Sequence, residues 1–355
     1  MVSGWAEHPG DRHHGAHGEL VSRSLDVSVD ELLDFSQNIN PFGAPRHVLE
    51  AARRALYDES GRYPAPGYTE LREALAKYLH VPAGRVVPTN GGAEALFLAA
   101  GAAGTGRALV LEPTFSEYAA AARASGMEVA RRVARRPEEG FRFDPAAIED
   151  LGGISLVFLC NPNNPTGDSL GHREVLEVAA RVREAGAVLV VDEAFADFAP
   201  GSSVAAMVEG GLWVARSLTK FFAIPGLRLG CLICDDAERV QTLQPSWPVN
   251  AVAAAAGIAA AGDHGFAETS IAEVSRLRSN LFGALDELAE LRPFPGAANF
   301  LLVRGPEGLA GRLACRGVLV RGCEPFMGLG PEYFRVAVRG EAENTRLLAA
   351  IREEL

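Results

Sequence analysis

Lysine is almost missing from this chain. Among 34 Lys plus Arg residues, only Lys77 and Lys220 are lysines, and arginine carries the rest of the cationic work. Basic clusters are missing as well. The net charge is −11 and nothing basic gathers beyond pairs such as Arg131-Arg132, which argues against a nucleic-acid or anionic-membrane partner. A small anionic substrate would instead need a local arginine site. Cysteine is scarce: five residues, an odd set at irregular positions, so a secreted disulfide framework is not expected. "CLIC", Cys231 to Cys234, has CxxC spacing but falls in a predicted strand, which points its sulfurs to opposite faces. With no second Cys/His pair after it, neither a metal nor a redox role is expected. Long apolar runs are absent too. "NAVAAAAGIAAAG" is too short to span a bilayer, and "MVSGWAEHPGDRHHG" lacks the apolar core of a signal peptide. A soluble, cytoplasmic protein is the expectation.

What is present is enough for a large core: 355 residues, 48% hydrophobic, sufficient for two lobes. "LLDFSQNINPFGAP" reads as a short extended segment broken by Asn, Pro and Gly, followed by amphipathic helices in "HVLEAARRALYD" and "YTELREALAKYLH". Lys77 falls on the polar side of the second and reads as a solvated residue. From about residue 90, helices alternate with "RALVLE", "ISLVFLC", "AVLVVDEAF", "LWVARSL" and "LRLGCLIC". Nearly continuous Val/Leu/Ile runs of that length suit a mostly parallel sheet buried on both faces, hence an α/β domain. Beyond about residue 250, helices lead to "NFLLVR", "VLVR" and "YFRVAV", a smaller α+β lobe.

Ligands of open α/β sheets sit outside the carboxyl ends of the strands. There "CNPNNPTG", "DEAFADF" and "SLTK" follow three successive strands. Lys220 stands against Phe221, Phe222, Ala223, Ile224 and Pro225, an apolar setting that favours a neutral, nucleophilic amine. A lysine able to form a Schiff base, a carboxylate and a phosphate cradle together describe a pyridoxal phosphate (PLP) site. Asp192 is placed to keep the pyridine nitrogen protonated, although alone it is equally a loop cap or an arginine's partner. Glu193 should point the other way. Asn164 offers an amide to the ring oxygen; without its neighbours it would read as an Asn-Pro turn. "NGGAEA" opens a helix with free amides facing an anion, and Ser217, Thr219 and Arg228 add hydroxyls and charge. Tyr118 suits either a ring-stacking role or the core.

The ordered set "NPNNPTG", "DEAF", "SLTKFFAIPGLRLG" and "FRVAVR" resembles fold-type I PLP enzymes of the class I/II aminotransferase family over nearly the whole chain. The resemblance implies an aspartate aminotransferase-like fold with a mostly parallel seven-stranded sheet. Its expected divisions are an N-terminal segment (1–45) joining the small domain and covering the site, a PLP-binding domain (46–250) and a small α+β domain (251–355). It also implies Lys220 as the covalent anchor of PLP, Asp192 on the ring nitrogen and Asn164 on the ring oxygen. Gly92, Ala93, Ser217, Thr219 and Arg228 would hold the phosphate, and Tyr118 the ring. Two anion clamps are implied for a small phosphorylated amino-acid substrate: Arg335 for a carboxylate and Arg321 for a phosphate. His14 would assist at the phosphate and Asn38 at the carboxylate. His13, His14 and His17 together also suggest metal, although mobile N-terminal histidines usually bind nothing. Tyr63 resembles a tyrosine that reaches the neighbouring subunit's cofactor, implying a homodimer with shared sites.

Within the family the chain is similar to the enzymes that decarboxylate O-phospho-L-threonine, with histidinol-phosphate-type aminotransferases as the alternative. Phe195 in "DEAFADF" stands where aminotransferases usually carry a tyrosine beside the ring oxygen. The "HHGAHG" opening and the lysine segment also lean towards the decarboxylases. Gly92 departs from them, since an acidic residue is usual in their phosphate turn; backbone amides still serve there.

Overall fold

The computed structural model describes residues 18–355, so His13, His14 and His17 lie outside the described residues. Its strands are β1 (Leu33–Asp34), β2 (Val86–Thr89), β3 (Arg107–Glu112), β4 (Glu128–Val133), β5 (Ile154–Cys160), β6 (Val188–Asp192) and β7 (Leu212–Ser217). They continue as β8 (Gly230–Ile233), β9 (Arg292–Phe294), β10 (Phe300–Arg304), β11 (Val318–Leu319), β12 (Arg321–Gly322) and β13 (Tyr333–Ala337). Seven of them form one sheet in the order β2-β8-β7-β6-β5-β3-β4. All neighbours from β7 to β4 are parallel, and β8 alone runs against both β2 and β7. The expected α/β fold with a mostly parallel seven-stranded sheet is present.

The apolar runs of β5 and β6 bury both faces. Val157, Leu159, Leu189 and Val191 join one core, whereas Leu156, Phe158, Cys160 and Val190 join the other. The first face is covered by His172–Glu184, whose Val175, Val178 and Val182 recur at helical spacing. The second is covered by Gly91–Ala103 and Glu117–Ala124. Cys231 belongs to the first core and Cys234 to the second, so the CxxC sulfurs do face apart. Among the described residues there is no cluster of three metal-ligating side chains and no helix long and apolar enough to cross a membrane.

A second, antiparallel sheet has the order β12-β13-β10-β9. The N-terminal segment joins this side of the molecule, because β1 pairs in parallel with β11. Helix Ala251–Ala261 packs on Arg46–Glu59 and Thr69–Leu79 in the core of the large sheet. The next helix, His264–Asp286, gives Val274 to that core but Leu277, Leu281 and Leu285 to the core of the small sheet. We propose that the two lobes divide along this helix rather than at residue 251.

Candidate active site

Period-two alternation decides which acid faces the cavity. Asp192 ends β6 on the same face as Val190, and Glu193 turns to the opposite one. Glu193 is fully occupied there, accepting from Arg216 Nη1 (2.9 Å), Ser203 Oγ (2.6 Å) and the Val204 N–H (2.6 Å). Arg216 also pairs with Asp197, which accepts from the Tyr78 hydroxyl at 2.7 Å. This buried network braces β6 against β7 from behind. Asp192 accepts from the Tyr118 hydroxyl (2.7 Å) and the Ala194 N–H (2.9 Å). Burial pushes its pKa up, against the lowering effect of those two bonds and of Arg216. Among the described residues no lysine or arginine forms an ion pair with it. A dry carboxylate served only by neutral donors suits a cationic N–H.

Lys220 sits on a single helical turn, Leu218–Phe221, directly after β7. Burial, then the charges of Arg335 and Arg228, push its pKa down to about 8. At pH 7 most of the amine is therefore still protonated, but its neutral, nucleophilic fraction is far larger than an ordinary lysine's. Beside it, the Ser217 and Thr219 hydroxyls are 2.7 Å apart. Facing them is the start of helix Gly91–Ala103, whose first N–H groups have no partner within the helix. Gly230 makes this approach possible: a Cβ there would lie 2.6 Å from the Arg216 carbonyl oxygen and 2.8 Å from the Gly92 nitrogen. A Cβ on Gly92 would crowd Ser217 Cβ at 3.2 Å. The glycine therefore keeps the cradle open.

These groups meet in a cavity of about 480 Å³. Asn38, Gly92, Ala93, Tyr118, Asn164, Asp192, Ser217, Thr219, Lys220, Arg228, Arg321 and Arg335 all line it. Arg335 projects from β13, donates from Nη1 to Asn164 Oδ1, and donates from Nη2 to the Ser36 carbonyl at 2.7 Å. The first bond leaves the Asn164 amide as a donor for the ligand. Burial, with Cys323 opposing and Arg321 reinforcing it, lowers the Arg335 pKa to about 10. Asn38 is buried with neither amide atom hydrogen-bonded among the described residues, an orphan that a bound ligand would satisfy. The donor set, the open cradle and the unpaired acid fit PLP.

Tyr118, Tyr63 and His14 need separate accounts. Tyr118 is wholly buried, with one face on Phe158 at 5.1 Å and its hydroxyl on Asp192, so it serves the acid. Phe115, three residues earlier, is half-buried and lines the cavity; it is the better candidate to stack on a ring. Tyr63 is 74% exposed, stacks on Trp247 at 4.2 Å and does not line the cavity of its own chain. His14 lies outside the described residues. Sequence reading also missed Glu117 and Phe326 on the cavity wall. "PTFSEY" contained two of the missed residues, but short helical spacing did not reveal which of its side chains faced inward.

A family model for class I and II aminotransferases matches residues 30–351. The chain belongs to this family of PLP-dependent enzymes. It is 40% identical to the threonine-phosphate decarboxylase of Salmonella typhimurium over 96% of both chains. It is 31% identical to the histidinol-phosphate aminotransferase of Methanopyrus kandleri, over 96% of this chain and 93% of that one. The crystal structure of the histidinol-phosphate aminotransferase from Clostridium acetobutylicum superposes with a TM-score of 0.84 at 28% identity. It covers 91% of this chain and 99% of that one.

Proposed function

We propose that this protein binds PLP through Lys220 and decarboxylates O-phospho-L-threonine, releasing CO2 and (R)-1-aminopropan-2-yl phosphate, a precursor of the cobalamin side chain. The observation that carries the reading is the meeting of Lys220, its pKa lowered by burial, a buried Asp192 and two arginines, Arg321 and Arg335, around one cavity. Bound there, PLP would supply a protonated ring that takes up the electron pair left on the substrate's α-carbon. Asp192 would hold the ring nitrogen and Asn164 the ring oxygen. Gly92, Ala93, Ser217, Thr219 and Arg228 would hold the cofactor phosphate, with Phe115 against the ring.

Arg335 presents a fork for the substrate carboxylate and Arg321 a charge for its phosphate. Asn38 adds an amide beside them. The bond from the α-carbon to the carboxylate breaks, and a proton must replace the lost CO2. Lys220 Nζ is suited to carry that proton, since its lowered pKa lets it hold and release one near neutral pH. Phe195 supports decarboxylation over amine transfer. It packs edge-on against Phe300 at 5.0 Å and brings no hydroxyl to the ring-oxygen side. The 40% identical relative supports the same choice. Tyr63, exposed on its own chain, suits a homodimer in which it reaches the partner's cofactor phosphate.

Transamination of histidinol phosphate is the second reading, supported by the 31% identical relative. Pure protein with PLP is incubated with O-phospho-L-threonine and assayed for CO2. In parallel it is given histidinol phosphate plus 2-oxoglutarate and assayed for glutamate. Release of CO2 is expected; glutamate alone would overturn the reading.

A further inference from the structure

We propose that Asn40 is a positioning residue of this site. Its amide ties the cavity wall formed by residues 36–38 to the turn that carries Lys220, and so sets the pose in which substrate meets the amine. The proposal rests on the reading of Lys220 as the reactive amine.

Asn40 is buried and does not line the cavity, so it acts through its neighbours. Its Nδ2 donates to the Phe221 carbonyl (2.8 Å) and to Ser270 Oγ (2.9 Å), and its main-chain N–H donates to the Lys220 carbonyl (3.0 Å). Its Oδ1 accepts from the Phe42 N–H at 3.2 Å. Leu218–Phe221 is only one turn long, so its last carbonyls need partners from outside the helix. Asn40 supplies them and links the turn to helix His264–Asp286 through Ser270.

The other end of the same strap is fixed to the small sheet. The Phe35 N–H donates to the Leu319 carbonyl (2.7 Å), and the Ala337 N–H donates to the Phe35 carbonyl (2.9 Å). Between the anchors, the Asp34 carboxylate accepts from the Ser36 N–H (2.8 Å), Ser36 Oγ (2.6 Å) and Gln37 Nε2 (2.6 Å). Ser36, Gln37 and Asn38 thus span the cavity on a bridge with little slack. One end follows Arg335, through the Ser36 carbonyl, and the other follows Lys220. Cutting the Asn40 anchor would loosen the wall and admit water to the amine.

Asn40→Ala and the isosteric Asn40→Asp, which keeps the shape but loses both donors, test this. Two measurements are made on each. The first is the KM and kcat of the PLP-loaded enzyme. The second is the pH dependence of Lys220 acetylation in PLP-free protein, followed by peptide mass spectrometry. Both variants are expected to raise KM about tenfold or more, the size of one lost buried hydrogen bond, with a smaller change in kcat. The acetylation midpoint should move towards that of an ordinary lysine. Lower melting temperature with wild-type KM and midpoint would make Asn40 a structural anchor only and overturn the proposal. Should either variant fail to fold, Ser270→Ala removes one acceptor and leaves the strap intact. A KM rise of about threefold with the same direction of midpoint shift is then expected, and wild-type values overturn the proposal. Lys220→Ala separates the underlying reading: turnover surviving in that variant refutes the assignment of the amine, whatever the Asn40 variants do.

Discussion

Replacing Tyr118 with Phe removes a single hydroxyl from the centre of the molecule. That hydroxyl donates to Asp192 Oδ2 at 2.7 Å in a fully buried setting. A hydrogen bond to a charged group contributes roughly 1.5–3 kcal/mol, and here it opposes the burial that raises the Asp192 pKa. Without it, only the Ala194 N–H bonds the carboxylate, which becomes easier to protonate and poorer at holding a cationic nitrogen. The expected result is PLP affinity weakened by a factor of roughly 10–150, with a loss of kcat/KM of the same order. The assay is titration of PLP-free Tyr118→Phe with PLP, followed by absorbance, alongside steady-state turnover. The ring still packs on Phe158 at 5.1 Å, so the loss of stability should be limited to that hydrogen bond, about 1.5–3 kcal/mol. Wild-type affinity and wild-type rate in a folded Tyr118→Phe protein would refute the assignment of Asp192 as the acid that holds the ring nitrogen.

Other outcomes follow from the same geometry. In PLP-free protein, the folded Lys220 pKa is about 8 against 10.5 for the ordinary group. Below about pH 8 folding carries the cost of a buried ammonium; from there to about 10.5 the unfolded chain holds the extra proton and stability climbs. Lys220→Met should therefore be more stable than wild type at pH 7 by up to about 3 kcal/mol, with the gap closing by about pH 10.5 in denaturant titrations. Glu112 behaves in the opposite sense, since burial raises its pKa from 4.5 to about 7 despite Arg131 and the Thr114 N–H. Between those values the folded state holds the extra proton, so stability falls as pH rises, by about 3 kcal/mol across the window. Glu112→Gln should flatten that slope in chemical denaturation at a series of pH values. Gly230→Ala places a Cβ against three backbone atoms, none of which belongs to a flexible side chain. A loss of about 1–3 kcal/mol in stability and weaker PLP binding are expected, measured by melting and by titration.

Much of the site was legible because its residues lie at the ends of β5, β6 and β7, three adjacent parallel strands whose apolar runs announce themselves. Strand periodicity alone separates Asp192 from Glu193. By contrast β4, "EVARRV", lies at the sheet edge with no fully buried position, so its charged pattern hid a strand. The sequence leaves Tyr118 open between the ring and the core, and its hydroxyl contact with Asp192 is visible only in the fold. The side chain that faces inward from a short helix depends on how Glu117–Ala124 docks against β3 and β5, not on local spacing.

The sequence by itself determined the α/β class and the family and pointed to the lysine, acid and arginine set, because these rest on residue type and short-range order. Only the tertiary structure decided that Tyr118 serves Asp192 and that Phe115 faces the cavity. It also decided that Asn40 joins the strap to the lysine turn across a separation of 181 residues and to Ser270 across 230. Contacts between segments so distant along the chain are set by the packing of two lobes, and no local pattern encodes them.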